Sequence, residues 1–416
     1  MSPPSLVGRG LGGGDKNVKM TSINPTKLVL FGAGKIGRSF IGQLFSRAGY
    51  EVVFVDKDER LIDALNRQHS YKVLICDAHP ETMVVNNVRG VHADDTATVV
   101  EEIASADILA VSIGKNGLPH IVPVLSKGLL KREKDSPGQA LDIILAENMR
   151  NADVFLHGEL AKVLPATYPL NERVGLVETS IGKMVPLAVD QSGGDILSVS
   201  AEAYNTLIVD KKGFKNPVPA VAGLEAKENM KAWVDRKLFI HNFGHAAVAY
   251  RSYLLHPEFV YTWEALEDET VRNFAGEAMR ESATVLETVY PGVFADGHLQ
   301  MHIDDLLHRF ANRSLGDTIF RVGCDLYRKL SPDDRIITPL MSAFHHQLPY
   351  SHILQVLSAA IRFKCTGPDG KMFPSDVDFH RELEKEGKKK VLQRVCGFSD
   401  AESGYIMREI AYTVVK

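Results

Sequence analysis

From Leu28 to Asp56 the chain reads as an apolar run, a turn punctuated by glycines, a helical stretch and a second apolar run that ends on an acid. Residues 28–31 are LVLF, residues 36–48 carry helical spacing, and residues 52–55 are VVFV. Two apolar strands joined by one helix lie side by side in parallel, because a right-handed crossover lays the helix back on the sheet. The alternation continues along the chain. Residues 108–113 (ILAVSI) follow an acidic helical stretch, and residues 142–146 (DIILA) follow a helical segment around 122–130. Near-continuous apolar strands suit a sheet covered by helices on both faces. The fold expected is α/β, a doubly wound parallel sheet.

Near residue 201 the texture changes. A strand-like piece at 198–209 runs into a loop with Lys211, Lys212, Pro217 and Pro219, and after Glu225 the pattern is helical almost to the end. Residues 230–250, 271–290 and 351–363 are the clearest helices, with Val271, Phe274, Ala275, Ala278 and Met279 at three- and four-residue spacing. The organisation predicted is a disordered tail at 1–26, rich in Gly, Pro and Ser, a dinucleotide-binding domain at 27–200 and a mostly α-helical substrate and catalytic domain at 201–416. A chain of 416 residues, 45% hydrophobic, can bury two cores without disulfide staples. Cys76, Cys324, Cys365 and Cys396 form no CxxC pair, which argues against a zinc ribbon or disulfide scaffold and for a reducing cytoplasm. No metal site is expected, since pairs such as His345-His346 lack a further ligand at suitable spacing. No run approaches the ~20 apolar residues of a membrane span. The tail lacks the apolar stretch of a secretory signal. With 48 Lys plus Arg against 52 Asp plus Glu, a net charge of −4, the chain has no overall field to hold nucleic acid or an anionic membrane.

Gly32-Ala33-Gly34-Lys35-Ile36-Gly37 fits GxGxxG, a weak pattern alone. It gains meaning from the strand before it, the helix after it and the acid closing the next strand. Glycine lets the backbone turn tightly and admits a pyrophosphate close to main-chain N–H groups, and the helix N-terminus adds donors and the positive end of its dipole. These six residues and Asp56 form the expected cofactor-binding set of a Rossmann-type domain. Asp56 lies nineteen residues past Gly37. A carboxylate there accepts hydrogen bonds from both adenosine-ribose hydroxyls and repels a 2′-phosphate, so NAD is expected rather than NADP, although Lys57 beside it argues the other way. The remaining alternative is a tight βα turn with no ligand.

A second constellation, Lys237, Asn242 and His245, sits in the stretch KLFIHNFGH. At 100° per residue Lys237 and His245 lie about 80° apart and Asn242 and His245 about 60°, so all three can share one broad helix face. Hydride transfer from a secondary alcohol needs a base for the hydroxyl proton and donors for the developing alkoxide. Lysine serves as that base once burial or nearby positive charge lowers its pKa. Asparagine offers a neutral N–H to the oxyanion, and histidine orients its neighbours. The same residues also read as surface groups and a core histidine. Short-chain dehydrogenase chemistry is set aside, because the Tyr412 to Lys416 match to Tyr-x-x-x-Lys falls at the C-terminus.

The stretch is similar to the Lys-x-x-x-x-Asn-x-x-His signature of the polyol-specific long-chain dehydrogenases, and the likeness runs through nearly all of the chain after the tail. Residues 31–42 (FGAGKIGRSFIG), 146–149 (AENM) and 328–335 (RKLSPDDR) resemble the mannitol-1-phosphate 5-dehydrogenase branch of that family. The resemblance implies an NAD-dependent oxidoreductase interconverting mannitol 1-phosphate and fructose 6-phosphate. It implies Lys237 as the general acid/base, Asn242 and Asn148 as donors to the alkoxide and His245 as the orienting group. Asn148 also follows a buried strand at its C-terminal end, where α/β sheets bind ligands, though an ordinary turn asparagine reads the same.

Arg328 and Lys329, with Arg321 and Arg335 nearby, concentrate positive charge in an acidic chain. Arginine forks match phosphate oxygens. Arg328, Lys329 and Lys183 are the expected ligands of a substrate phosphate; the alternative is a solvated basic face, or ion pairs with Asp325, Asp333 and Asp334. One departure from the resemblance is Gly182-Lys183-Met184-Val185-Pro186, where Asp-Arg-Ile ahead of Val-Pro or Thr-Pro is usual. The cation survives as lysine and the carboxylate is gone. Cys324 stands where an arginine is common. Both leave room for a free polyol or a sugar-acid ketose as substrate, as in mannitol 2-dehydrogenase or tagaturonate and fructuronate reductases. Outside catalysis they leave room for an NAD-binding sensor. The partners expected are a small sugar phosphate or polyol phosphate, with no nucleic acid and no membrane, on a monomer or weak oligomer.

Overall fold

Strands that are apolar on both faces must be covered on both faces, and the central sheet is built that way. The computed structural model describes residues 26–77, 79–186 and 195–413, so the tail expected at 1–26 lies outside the described residues except for its last position. The described strands are β1 (Lys27–Phe31), β2 (Glu51–Asp56), β3 (Ser70–Ile75), β4 (Glu81–Asn86), β5 (Val88–His92), β6 (Ile108–Val111), β7 (Leu141–Leu145), β8 (Val174–Ile181), β9 (Val199–Ala201), β10 (Leu207–Asp210) and β11 (Leu224–Lys227). Eight of them form one sheet in the order β11-β10-β8-β7-β6-β1-β2-β5, parallel except where β10 meets β8. β1 lies centrally, with Leu30 in register with Phe54 on one side and Ala110 on the other. Leu28 and Leu30 pack into one layer with Phe40 and Phe54, while Val29 and Phe31 pack into the opposite layer with Val53 and Leu125.

The sheet runs past the boundary expected at residue 200, because β10 and β11 extend it. The piece expected as one strand at 198–209 is two. β9 pairs with β3 in a three-stranded sheet with β4, and β10 joins the main sheet. Polar residues break the run between them: Asn205 accepts from Gln43 at 2.5 Å, and Glu202 turns to Arg309.

From Met230 onward the described chain is helical. The long helix Glu269–Val289 packs against Phe243–Leu255 and Ser351–Ala360, and Phe243, Tyr250, Met279, Leu286 and Leu357 are in its core. The sheet-bearing and helical parts are locked by a buried ion pair. Arg309, on the helix His298–Phe310, sends Nε and Nη2 to the two carboxylate oxygens of Glu202 at 2.8 and 2.6 Å. The same guanidinium caps the Gly182 carbonyl at 2.5 Å, and the Met184 N–H donates to Glu202. Removing one member of such a pair strands the other charge in the interior. Glu202→Ala is therefore expected to lower stability by about 3–5 kcal/mol in urea unfolding. A loss below about 1 kcal/mol would show that the pair behaves as a surface pair.

Candidate active site

In parallel sheets ligands bind beyond the carboxyl ends of the strands. A cleft of about 740 Å³ opens there, lined by Gly114 and Lys115 after β6, Glu147 and Asn148 after β7, and the end of β8 from Thr179 onward. Its other wall comes from the helical part, through Lys237, His241, Asn242 and His245 and through residues 317–335.

The glycine turn sits on the same edge of the sheet. Gly32 has φ of +102°, and a Cβ on it would stand 2.4 Å from the Ser112 carbonyl oxygen, two residues before Gly114. A Cβ on Gly37 would fall 2.0 Å from the Gly32 oxygen, so the turn closes only with glycine at both ends. Around Gly34 nothing lies within 4 Å of a Cβ position, which leaves backbone open to a ligand. Asp56 closes β2 and accepts from the Ala33 N–H at 2.6 Å and the Asp58 N–H at 3.0 Å, which brings the carboxylate to the turn. Ile36 packs on the core beneath, and Lys35 donates to the Pro186 carbonyl at 3.0 Å. The expected cofactor residues thus come together beside the cleft.

Lys237, Asn242 and His245 also come together, but not on a regular α-helix. Residues Lys237–Asn242 form a π-helical turn, in which the Phe243 N–H reaches the Leu238 carbonyl five residues back. On an α-helix Lys237 and Asn242 would be about 140° apart; a turn closed by i→i+5 bonds stacks them on one face. Lys237 Nζ donates to Asn148 Oδ1 at 2.7 Å, joining the helical part to the end of β7. Burial and the Arg335 guanidinium lower the Lys237 pKa to about 8. His245 stacks flat on Phe310, with ring centroids 4.4 Å apart, and its Nε2 lies 3.3 Å from Asp317. Burial, with Arg321, Arg335, Lys329 and Arg309 around it, pushes its pKa down to about 3, so the ring is neutral near pH 7.

The cations expected to hold phosphate have varied surroundings. Arg328 pairs with Asp325 at 2.5 Å and Asp334 at 3.5 Å, Arg335 with Asp334 at 2.7 Å, and Arg321 with Asp317. The ion-pair alternative therefore holds for the arginines. Lys329 differs. It is 3% exposed, its ammonium donates to the Cys324 carbonyl, and burial together with Arg335 lowers its pKa to about 8. The ammonium of Lys183 donates to the Tyr204 carbonyl at 2.8 Å and Asn205 Oδ1 at 3.1 Å, so its head group is already engaged.

Two family models match the chain, the mannitol dehydrogenase Rossmann domain over residues 26–223 and the mannitol dehydrogenase C-terminal domain over residues 229–414. The chain belongs to the mannitol dehydrogenase family. Among solved structures, D-sorbitol dehydrogenase in substrate-free form is similar at a TM-score of 0.76 and 16% identity, covering 92% of this chain and 91% of that one. Mannitol 2-dehydrogenase of Pseudomonas fluorescens, in a ternary complex with NAD and D-mannitol, is similar at a TM-score of 0.67 and 14% identity, covering 95% of both chains. At these identities the likeness is one of fold.

As a member of the mannitol dehydrogenase family the protein is an oxidoreductase, and several cleft residues escaped the sequence reading. Glu147 accepts from the Ile113 and Gly114 N–H groups at 2.8 and 3.0 Å, and burial pushes its carboxyl pKa up. Asp317 and His241 also line the cleft. Asp317 sits in a loop without a motif, and nothing in the sequence marks it; His241 lies inside the lysine stretch, about 40° from both Lys237 and His245 on an α-helix, and the signature residues drew the reading past it. Asp56→Ala is expected to raise the dissociation constant for NADH about ten- to a hundredfold in a fluorescence titration, the cost of losing hydrogen bonds to a charged acceptor. An unchanged constant would remove Asp56 from the cofactor site.

Proposed function

We propose that the protein is an NAD-dependent dehydrogenase of the cytoplasm that interconverts mannitol 1-phosphate and fructose 6-phosphate. The single observation that carries the chemistry is Lys237, held by Asn148 in the cleft with its pKa lowered to about 8. Such an amine exchanges a proton readily near neutral pH. The glycine turn, open at Gly34 with Asp56 at its edge, fits a dinucleotide, and NAD when bound supplies the hydride acceptor. In alcohol oxidation neutral Lys237 takes the hydroxyl proton. Asn148 uses its carbonyl oxygen to hold Lys237, which leaves its amide N–H to join that of Asn242 in donating to the oxygen as negative charge develops. His245, held by stacking on Phe310 and with no hydrogen-bond partner for its Nε2 among the described residues, orients the alcohol from the same face.

The phosphate preference rests on Lys329. A buried ammonium whose hydrogen bond goes to a carbonyl, with Asp325 and Asp376 acting on it only through space, has donors left for an anion. A second reading, a free polyol, is favoured by the arginines, whose forks are already taken up by Asp317, Asp325 and Asp334, and by the names of the two similar structures.

NADH oxidation with fructose 6-phosphate and fructose side by side separates the two readings. The phosphate reading predicts kcat/KM at least about tenfold higher for the phosphate ester, with the ratio narrowed in Lys329→Ala. Equal rates would move the protein to free polyols. The rate of oxidation should rise with pH through about 8, where Lys237 loses its proton, and the rate of reduction should fall through the same midpoint. Lys237→Ala should lower kcat by ~10²–10⁴-fold with NADH binding retained. Near wild-type turnover would reject the lysine as the acid/base.

A further inference from the structure

His241 is 7% exposed, lines the cleft and makes no hydrogen bond to the described residues. Its ring nitrogens keep some exposure, which on a residue lining the cleft leaves them open to a ligand. Phe310 fixes its ring edge-on at 5.5 Å while stacking flat on His245, so neither histidine is free to swing. Burial, with Arg309 and Lys237 nearby, lowers its pKa well below the ordinary value. The ring is therefore neutral, with one nitrogen to donate and one to accept. Arg309, beside this ring, caps the carbonyl of Gly182 in the same cleft wall. Gly182 has no positive φ, and a Cβ there would stand 3.5 Å from the Tyr204 ring, an ordinary contact. The backbone thus places no demand for glycine at 182, and the missing side chain leaves room in the wall.

We propose that His241 is a specificity-determining residue that hydrogen-bonds a substrate hydroxyl on the carbon next to the reacting one, in a subsite whose room comes from Gly182. The inference rests on Lys237 and Asn242 marking the reacting carbon. His241 adjoins Asn242 on the same π-helical turn, so the group it meets is a near neighbour of that carbon. Of the two neighbours of C2 in fructose 6-phosphate, C1 and C3, the C1 hydroxymethyl is the one at the end remote from the phosphate. It suits a ring whose neighbouring cations are Arg309 and Lys237, Lys329 standing instead near His245. The imidazole at 241 then supplies a neutral donor and acceptor in a wall where Gly182 supplies no recognition group.

The test compares fructose 6-phosphate with 1-deoxyfructose 6-phosphate in wild type, His241→Leu and His241→Gln, with NADH affinity measured for each as the check on folding. Wild type is expected to favour the parent ketose by at least about tenfold in kcat/KM. His241→Leu should bring the parent down to the level of the analogue, chiefly through KM, and leave the analogue nearly unchanged. His241→Gln, which keeps a donor and an acceptor, should retain part of the preference. Equal losses for both ketoses in His241→Leu would make the residue structural and overturn the proposal. If fructose 6-phosphate is not reduced, the phosphate reading fails separately, and the same ratio is read with fructose and 1-deoxyfructose. An unchanged ratio in His241→Leu overturns the subsite there too, and a protein that reduces none of these ketoses overturns both readings.

Discussion

A half-buried ammonium with an amide and a guanidinium beside it, and no carboxylate paired to it among the described residues, loses part of its preference for the charged form, and the cleft is organised around one. Lys237 has the Asn148 amide oxygen as its hydrogen-bond partner and a guanidinium, Arg335, as its nearest electrostatic influence. That combination holds only if two separately built parts meet correctly. Asn148 hangs from the end of β7, whose position is set by pairing with β6 and β8. Lys237 hangs from the helical part, on a π turn buried through Phe239 and Ile240. The Glu202–Arg309 pair fixes the join and, through Gly182 and Met184, the cleft wall between them. Fold and chemistry are therefore coupled through a few polar groups at the seam.

Much of the first half is legible in the sequence because local rules decide it. The LVLF strand, the glycine turn and Asp56 are all set within thirty residues, and the structure assembles them through the hydrogen bond from Ala33 to Asp56. The helical half is legible in kind, since its apolar spacing is regular. What escapes is long-range or depends on small geometric changes. The π turn alters which residues share a face, and no residue pattern distinguishes it from a continuing α-helix; it aligns Lys237 with Asn242. The strand β10 joins an otherwise parallel sheet in antiparallel fashion, a matter of partner choice that the short sequence LIVD does not carry.

The basic cluster shows a different kind of limit. Arginines and aspartates interleaved between residues 317 and 335 read equally as phosphate ligands or as mutual partners, and only the side-chain positions separate the two. Arg321, Arg328 and Arg335 find aspartates, whereas Lys329 finds a carbonyl. Charge type and proximity in sequence are thus poor guides to which cation keeps its field for a ligand. Whether a carboxylate is hydrogen-bonded to the side chain is the better guide in that stretch, and it separates Lys329 from the arginines.

The central claim is that the surroundings of Lys237, rather than a bound group, bring its amine into the working pH range. Its most direct measurement is an NMR titration of the lysine ε-carbons in the protein without ligands, with the Lys237 signal assigned by its loss in Lys237→Arg. The account predicts a midpoint near 8 for that signal. A midpoint near the ordinary lysine value of 10.5 would contradict it and leave the cleft without its proton-exchange group.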